Sequence, residues 1–362
     1  MKHFKLCGIV TILLLLNFCN SSQEAKDLIL EDSFTRSPQE AFKSFHYIFK
    51  KLKYDLHSDE FNQRYENFRR NFDEVKRWNA DPNNRWKKGI NQFSDMSDEE
   101  FERKILVKNM LENENLRGPP YFAANGFKYK NFIAPNVKVN TFKAVDWSKY
   151  TGAVRDQQEC GSCYAQSGVN LIEATYAIKT GKSVRLSVQQ VVDCNSLTSG
   201  CNGGWVTNVG MYAKANGLML ESEYPYINAQ DACKYNSSTA KQYIDGMNGH
   251  GDLDAIKLKA YSAAHLYEQL KFGPASIAID GNALKAYKSG VWTAEGCQLI
   301  NHAVLVTGFG IDANNTPYFI IKNSWGTTWG ESGYMRIYAT EYDSAGNCFS
   351  YYFTYGAFYN GN

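Results

Sequence analysis

The clearest pattern of polar and apolar positions lies in the first third of the chain, over residues 58–79. Ser58 can cap the N-terminus of a helix there. Six residues spaced by three or four positions would share one face of that helix. They are Glu60, Arg64, Phe68, Asn71, Val75 and Asn79. Because Phe68 and Val75 make the face partly apolar, the spacing predicts an amphipathic helix.

Three stretches of the second half predict buried elements. Residues 163–178 alternate small and apolar residues at helical spacing, which favours a helix. His302 opens an apolar run bounded by glycines, and residues 318–322 are strand-like, so two strands are expected. Residues 111–140 carry several glycines and prolines, and such a stretch is typical of neither helix nor strand.

The N-terminus has the pattern of a targeting segment. Lys2 and Lys5 precede an apolar run over residues 6–18, and small and polar residues follow it. This order predicts a secretory signal peptide over residues 1–22. The alternatives are a membrane anchor or a buried helix, but the run is shorter than the roughly 20 apolar residues that span a bilayer. We therefore expect a protein of the secretory pathway, secreted or lysosomal, without a membrane span.

Composition and charge narrow the classes of partner. The 362 residues are 44% hydrophobic and 21% charged, with a formal net charge of +2. This balance is ordinary for a globular protein of about two domains. It supplies no overall field that would attract nucleic acid or an anionic membrane, so neither is expected as a partner.

The cysteines fall in two parts of the chain. Nine are present, and Cys7 and Cys19 lie in the predicted signal peptide. The other seven all follow position 159; they are Cys160, Cys163, Cys194, Cys201, Cys233, Cys297 and Cys348. In an oxidising compartment six of them can pair in fifteen ways, which leaves one free thiol.

Cys160 and Cys163, three positions apart, have three interpretations. A zinc site needs a second closely spaced pair of ligands, and the remaining cysteines are isolated. A thioredoxin-type pair needs a small α/β unit, which the pattern does not predict. A nucleophile next to a disulfide cysteine fits best, since Cys163 would begin the helix at 163–178 and its dipole would favour a thiolate. We expect no metal and no organic cofactor.

With these motifs in place, the chain resembles the papain-like cysteine proteases, and its propeptide resembles the cathepsin L-like branch. The six residues on the predicted helix face match the family's E-R-F-N-I-N pattern, with Val75 in place of Ile. A second propeptide pattern, G-x-N-x-F-x-D, is matched in order by Gly89, Asn91, Phe93 and Asp95. The resemblance implies a protease made as a zymogen and inhibited by its own propeptide, with activation expected in acid.

The resemblance also implies the catalytic residues. Cys-Gly-Ser-Cys-Tyr is a signature of this family, and it makes Cys163 the nucleophile. His302 lies 302 − 163 = 139 residues further on and would be its base partner. Asn323, which begins Asn-Ser-Trp-Gly, would orient His302, and Gln157 would donate to the oxyanion. A lone histidine before a strand is more often structural. The match to the family motif is the reason for expecting a catalytic role here.

Disulfides and substrate contacts follow from the same resemblance. The implied pairs are Cys160–Cys201, Cys194–Cys233 and Cys297–Cys348, which leaves Cys163 free. The implied substrate-binding residues are Gly203, Gly204, Trp205, Val206, Ala278, Ala303 and Phe353. Their wall around the residue two before the scissile bond (P2) is apolar, so we expect an aliphatic or aromatic residue there and no preference for arginine. An ordinary turn is the alternative for the two glycines.

The implied fold is α+β: a papain-like two-lobe fold with a helical N-terminal lobe and a β-barrel-like C-terminal lobe, preceded by a helical propeptide domain. The expected segments are a signal peptide at 1–22, a propeptide at 23–140 and a catalytic domain at 141–362. The sequence shows no insertion that would block one end of the cleft, so an endopeptidase acting on proteins and peptides is expected. A monomer, inhibition by cystatin-type proteins, and possible glycosylation at Asn236 and Asn314 complete the expectations.

Three positions depart from the family pattern. Tyr164 replaces the commoner Trp, Phe349 stands where Gly is frequent, and Gln166 stands where Phe is usual. A polar group at position 166 of a core helix needs a hydrogen-bond partner or costs about 1–3 kcal/mol. Two other functions therefore stay open: a catalytically silent homologue that acts as a binding protein, and a propeptide that acts as a free inhibitor. Glu173, on the same helix, is expected to be structural.

Overall fold

The computed structural model describes residues 37–50, 58–107, 142–245, 263–293, 300–339 and 349–356. The predicted signal peptide, the stretch 111–140 and the predicted Cys297–Cys348 pair lie outside these residues. The described chain forms two compact units. The first comprises residues up to Ala80 together with Ile90–Met96, and the second comprises Asp81–Gly89 and the chain from Ser97 onward.

Two helices form the core of the first unit. Helix α1 (Pro38–Phe45) begins with a capping box between Ser37 and Glu40, and a π-helical turn (His46–Lys50) follows it. Helix α2 (Asp59–Ala80) is the helix predicted over 58–79. The Ser58 hydroxyl caps it by accepting from the main-chain N–H of Phe61 at 3.1 Å. The apolar faces of the two helices meet, with the Phe42 and Phe68 rings 5.1 Å apart.

The two propeptide motifs meet within this unit. Arg64 donates from Nη1 to the carbonyl of Asp95 at 3.3 Å. Asn71 donates from Nδ2 to the carbonyls of Ser94 and Met96, at 2.8 and 3.2 Å. The polar stripe on α2 therefore fixes the loop at residues 94–96 by donating hydrogen bonds to its main-chain carbonyls.

The second unit combines helices with one mixed sheet. Its helices are α3 (Asp98–Ile105), α4 (Cys163–Thr180), α5 (Val188–Cys194), α6 (Val206–Asn216) and α7 (Ala263–Leu270). Its strands are β1 (Trp86–Lys88), β2 (Val145–Asp146), β3 (Ala275–Ile279), β4 (Tyr287–Trp292), β5 (His302–Ile311), β6 (Pro317–Lys322), β7 (Tyr334–Tyr338) and β8 (Phe349–Tyr355). The strand order is β1-β4-β7-β6-β5-β3-β8, and β2 pairs with β5. The predicted α+β class is confirmed.

Helix α4 is the central helix of this unit. Side chains are buried around its whole circumference through its first three turns, as expected of a helix enclosed by other elements. It packs against α6, where Gly168 lies so close to Val209 that a Cβ would come within 3.0 Å of it. It also meets β3, where the hydroxyls of Ser167 and Ser276 are 2.6 Å apart. The nucleophile candidate at its first residue is thereby held by the core.

Candidate active site

Cys163 is placed by the turn that leads into α4. It is the first residue of that helix and is a buried free thiol. The turn is fixed by the Cys160–Cys201 disulfide and by a main-chain hydrogen bond from Gly161 to the carbonyl of Cys201 at 2.9 Å. A Cβ on Gly161 would lie 2.5 Å from that carbonyl oxygen, so only glycine fits there. A second disulfide joins Cys194 to Cys233.

His302 and Asn323 come together because their strands are antiparallel neighbours. His302 is the first residue of β5, and Asn323 directly follows the end of β6. His302 Nε2 lies 2.8 Å from Asn323 Oδ1. The carboxamide oxygen accepts, so Nε2 carries the proton. Nδ1 is then the basic nitrogen, and it has no hydrogen-bond partner among the residues that the structure describes.

Trp325 covers this pair. Its ring stacks on the imidazole of His302 with 4.6 Å between ring centroids, and it is fully buried. Shielding from water strengthens the hydrogen bond that fixes the imidazole orientation. The thiol of Cys163 also meets this strand, because it receives a hydrogen bond from the main chain of Ala303, the residue after His302.

Gln157 presents its side-chain amide to a peptide carbonyl. Its Nε2 donates to the carbonyl of Ile105 at 2.8 Å and to that of Cys160 at 3.1 Å. Its Oε1 accepts from the Ser324 hydroxyl at 2.7 Å. The amide oxygen is therefore occupied by Ser324, which leaves the N–H groups as the donors that face a carbonyl. A carbonyl oxygen at this position is what an oxyanion donor needs.

The carbonyl that Gln157 binds belongs to a segment that the sequence patterns did not place. Helix α3 is capped by Ser97 and ends at Ile105, and Leu106 and Val107 follow it. The main-chain N–H of Val107 donates to the carbonyl of Asn301, next to His302, at 3.0 Å. An S-x-x-E capping signal at residues 97–100 predicts such a helix, but no local pattern reveals where its end lies.

Val107 lies against the predicted substrate-binding residues. It belongs to one buried apolar cluster with Trp205, Val206, Ala278 and Ala303. Ala278 and Ala303 are cross-strand partners in β3 and β5. The Val107 side chain also covers Gly203, since a Cβ there would come 2.2 Å from Val107 Cγ1. Gly204 lies beside Tyr164 and Thr198, and Phe353 is on β8, where side chains lie outside the described part.

Two ion pairs tie α3 to the rest of the second unit. Asp98 Oδ1 lies 2.8 Å from Lys285 Nζ, and Lys104 Nζ lies 3.1 Å from Glu159 Oε2. The ring of Phe101 packs edge-on against Trp325, at 5.4 Å between centroids. Helix α3 therefore packs against Trp325, the residue whose ring stacks on His302.

Burial governs the charge of both reactive groups while this segment is in place. Burial raises the pKa of the Cys163 thiol to about 11, and hydrogen bonds from the main chain of Ala303, Tyr164 and Cys163 itself oppose the rise. Burial lowers the pKa of His302 to about 4, and the hydrogen bond to Asn323 opposes that fall. Both shifts disfavour the charged forms, so thiol and imidazole are neutral in this form of the chain.

Glu173 has the structural environment expected of it. Its Oε1 pairs with Arg155 Nη2 at 2.5 Å and accepts from the main-chain N–H of Leu186 at 2.6 Å, while Oε2 accepts from Asn170. A buried carboxylate with this set of partners is satisfied. Nearby, the Lys322 amine donates to the carbonyls of Thr151 and Gly152, and burial lowers its pKa to about 7.

The remaining predicted sites are simple to place. Asn236 and Asn314 are exposed, as glycosylation would require. Tyr164 gains partners for the hydroxyl that a Trp would lack, by donating to the carbonyl of Gly200 at 3.0 Å and lying 3.2 Å from the Thr198 hydroxyl.

The described residues hold no cluster of three metal-ligating side chains. Nor is any helix in that part of the chain long and apolar enough to cross a membrane.

Two family models match the chain. Residues 141–351 match the model described as "Papain family cysteine protease". Residues 42–101 match the model described as "Cathepsin propeptide inhibitor domain". The first match covers the cysteine, histidine and asparagine motifs, and the second covers the two propeptide motifs.

Curated relatives and solved structures agree with the family models. A senescence-specific cysteine protease of Arabidopsis thaliana is 36% identical over 79% of this chain and 81% of its own length. A cathepsin L-like proteinase of Phaedon cochleariae is 37% identical over 68% of this chain and 72% of its own. The structure of digestive procathepsin L 3 from the larval midgut of Tenebrio molitor has a TM-score of 0.71 at 29% identity, covering 89% of this chain and 99% of the other. A recombinant stem bromelain precursor gives 0.74 at 28% identity, covering 90% and 99%.

Proposed function

The chain belongs to the papain family of cysteine proteases, and from that premise we propose that Cys163, His302, Asn323 and Gln157 form its catalytic centre. The family membership makes it a cysteine endopeptidase with an inhibitory propeptide domain and a papain-like two-lobe fold. The observation that carries the assignment of residues is the hydrogen bond from Gln157 Nε2 to the carbonyl of Ile105, at 2.8 Å. A peptide carbonyl bound by this amide supports the assignment of Gln157 as an oxyanion donor.

The reaction follows from these positions. His302 Nδ1 takes the proton of the Cys163 thiol, and the thiolate attacks the carbonyl carbon of the scissile bond. The electron pair of the C=O bond moves to oxygen, where Gln157 Nε2 and the main-chain N–H of Cys163 donate to it. The imidazolium of His302 then protonates the leaving amine, which leaves an acyl-enzyme. Water attacks this thioester with His302 as base, releasing the acid and restoring the thiol.

The segment 97–107 supports a zymogen in which the propeptide holds the dyad neutral. It buries Cys163 and His302, whose pKa values move to about 11 and about 4. Removing it readmits water to both groups and relieves the burial that disfavours charge. The helix dipole of α4 and the hydrogen bond from Asn323 then favour the thiolate–imidazolium pair. Release in acid is consistent with this state of His302. Because the buried imidazole is hard to protonate in the closed form, acid favours the open form, in which it can take a proton.

Val107 supports the preference for an apolar P2 residue. The side chain that fills the pocket in the precursor is aliphatic, and its described walls at Trp205, Val206, Ala278 and Ala303 are apolar. An arginine at P2 would bury a charge without a partner in those walls. Profiling the mature enzyme with a peptide library should give aliphatic or aromatic residues at P2, and a strong preference for arginine would contradict this assignment.

The segment boundaries are part of the same proposal. A signal peptide at 1–22, a propeptide at 23–140 and a catalytic domain at 141–362 are consistent with family matches at 42–101 and 141–351. Passage through the secretory pathway to a secreted or lysosomal location, a monomeric state and inhibition by cystatin-type proteins fit this organisation. The complete catalytic set argues against a silent homologue.

Two adjacent glutamines allow a matched test of the oxyanion donor. Gln157 is buried, whereas Gln158 is exposed and lies in the left-handed region at φ 52°, which asparagine tolerates. Gln157→Asn withdraws the amide from the carbonyl position and should lower kcat of the mature enzyme about 100-fold. Gln158→Asn should leave kcat within twofold. Equal effects in the two variants would remove Gln157 from the catalytic centre.

A further inference from the structure

A tyrosine hydroxyl lies behind the oxyanion donor. Tyr226 donates its hydroxyl hydrogen to the main-chain carbonyl of Gln157 at 2.8 Å. The same hydroxyl lies 2.8 Å from Ser162 Oγ. Ser162 directly precedes the nucleophile and occupies the N-cap position of α4, but its side chain makes no capping hydrogen bond there. One hydroxyl therefore links the peptide of Gln157 to the residue next to Cys163.

Counting donors fixes the direction of these hydrogen bonds. A phenol has a single hydrogen, and Tyr226 gives it to Gln157 because a carbonyl only accepts. Ser162 Oγ has a second acceptor within reach, the carbonyl of Cys160, but at 3.5 Å against 2.8 Å to Tyr226, so its hydrogen goes to the Tyr226 oxygen. Burial raises the pKa of Tyr226 to about 12, and the hydrogen bond from the Ser162 side chain opposes the rise, as a donor to the phenol oxygen would.

Gln157 is held from both ends through its main chain. Its N–H donates to the carbonyl of Ser324 at 2.8 Å, and its C=O accepts from Tyr226. The side chain is fixed at Oε1 by Ser324. The Ser162 donor on the Tyr226 oxygen polarises its O–H group and strengthens the bond to Gln157. Loss of that bond frees the carbonyl side of the peptide that carries the oxyanion donor.

We propose that Tyr226, backed by Ser162, is a positioning residue of the oxyanion hole. The inference rests on the role of Gln157 given above. It concerns transition-state stabilisation, so it predicts an effect on kcat and on compounds that form an oxyanion, with little effect on substrate affinity.

The test uses mature enzyme obtained from full-length precursors of Tyr226→Phe, Ser162→Ala and the double variant. Enzyme concentration is set by titration with an irreversible thiol-directed inhibitor, so that misfolded protein is not counted. Each single variant should lose about 3- to 10-fold in kcat, less than loss of the donor itself, with KM within twofold. Affinity for a peptide aldehyde, whose hemithioacetal oxygen occupies the oxyanion position, should fall by the same factor. The double variant should be no worse than Tyr226→Phe, because both act through one hydroxyl.

Tyr212→Phe is the matched control. Its hydroxyl is buried and accepts from Gln190 Nε2 at 3.1 Å, but it has no hydrogen bond to Gln157. Tyr212→Phe should leave kcat and aldehyde affinity unchanged.

Unchanged kcat and aldehyde affinity in Tyr226→Phe and Ser162→Ala would overturn the inference, whatever happens to their melting temperatures. A double variant whose losses multiply would also overturn it. If Gln157→Asn itself retained full kcat, the fault would lie in the role assigned to Gln157, which separates the two failures.

Discussion

At the scale of single residues, His302 illustrates how environment decides chemistry. The imidazole is a buried neutral group in this form of the chain, and the proposed mechanism makes it a proton carrier in the mature enzyme. Its Nε2 is committed to Asn323 at 2.8 Å, so under that proposal Nδ1 is the nitrogen that changes state. Removal of the covering segment is the proposed switch between the two roles.

The neutral His302 predicts how the precursor responds to acid. The ordinary pKa is 6.5 and the folded value is about 4, so between these values the unfolded chain binds a proton that the folded precursor does not. Stability must therefore fall as pH drops from 6.5 to 4, by at most about 3 kcal/mol. Urea unfolding should show this loss in a Cys163→Ala precursor, which has no nucleophile to process itself. It should be smaller when His302→Gln is added, and equal pH profiles would contradict the account.

The residue motifs predicted local elements because each motif is short and lies at the start or end of a helix or strand. Cys163 begins a helix, His302 begins a strand and Asn323 ends the neighbouring strand, and antiparallel pairing then brings the last two together. Tyr226 and Ser324 carried no comparable signal. They contact Gln157 across separations of 69 and 167 residues, and hydroxyls in loops have no periodicity to reveal them.

At the scale of elements, α3 and the two residues after it form the segment that covers the region around His302. The patterns that predict helices at 58–79 and 163–178 rest on apolar spacing, and the structure has them at Asp59–Ala80 and Cys163–Thr180. Helix α3 is short and has a cap, but its position depends on the contact of Val107 with Asn301, which is far away in sequence. Local propensity cannot encode such a contact.

The contacts of this covering segment (residues 97–107) differ in energy, which predicts how much each one slows processing of the precursor. Val107→Ala removes buried apolar groups worth about 1.6 kcal/mol. Asp98→Asn breaks an ion pair whose acidic partner is 86% exposed, and such pairs are worth about 0–1 kcal/mol. In a Cys163→Ala precursor cleaved by added mature enzyme, Val107→Ala should therefore speed processing about tenfold. Asp98→Asn should speed it at most fivefold, and the reverse order would show that charge holds the segment.

At the scale of the whole molecule, the division into a zymogen segment and an enzyme rests on two independent sets of residues. The motifs on α2 and at 89–95 serve one another, through Arg64 and Asn71. The four residues proposed as the catalytic centre all belong to the second unit. The expected cut near Thr141 lies outside the residues that the structure describes.

The most direct test of the central claim is the intact mass of the protein after activation in mild acid with reductant, measured with and without an epoxysuccinyl thiol-protease inhibitor. We expect a single fragment that begins near Thr141 and carries one inhibitor label, located on Cys163. A processed fragment that takes up no label, or a Cys163→Ala variant that is labelled equally after processing, would contradict the assignment of Cys163 as the nucleophile.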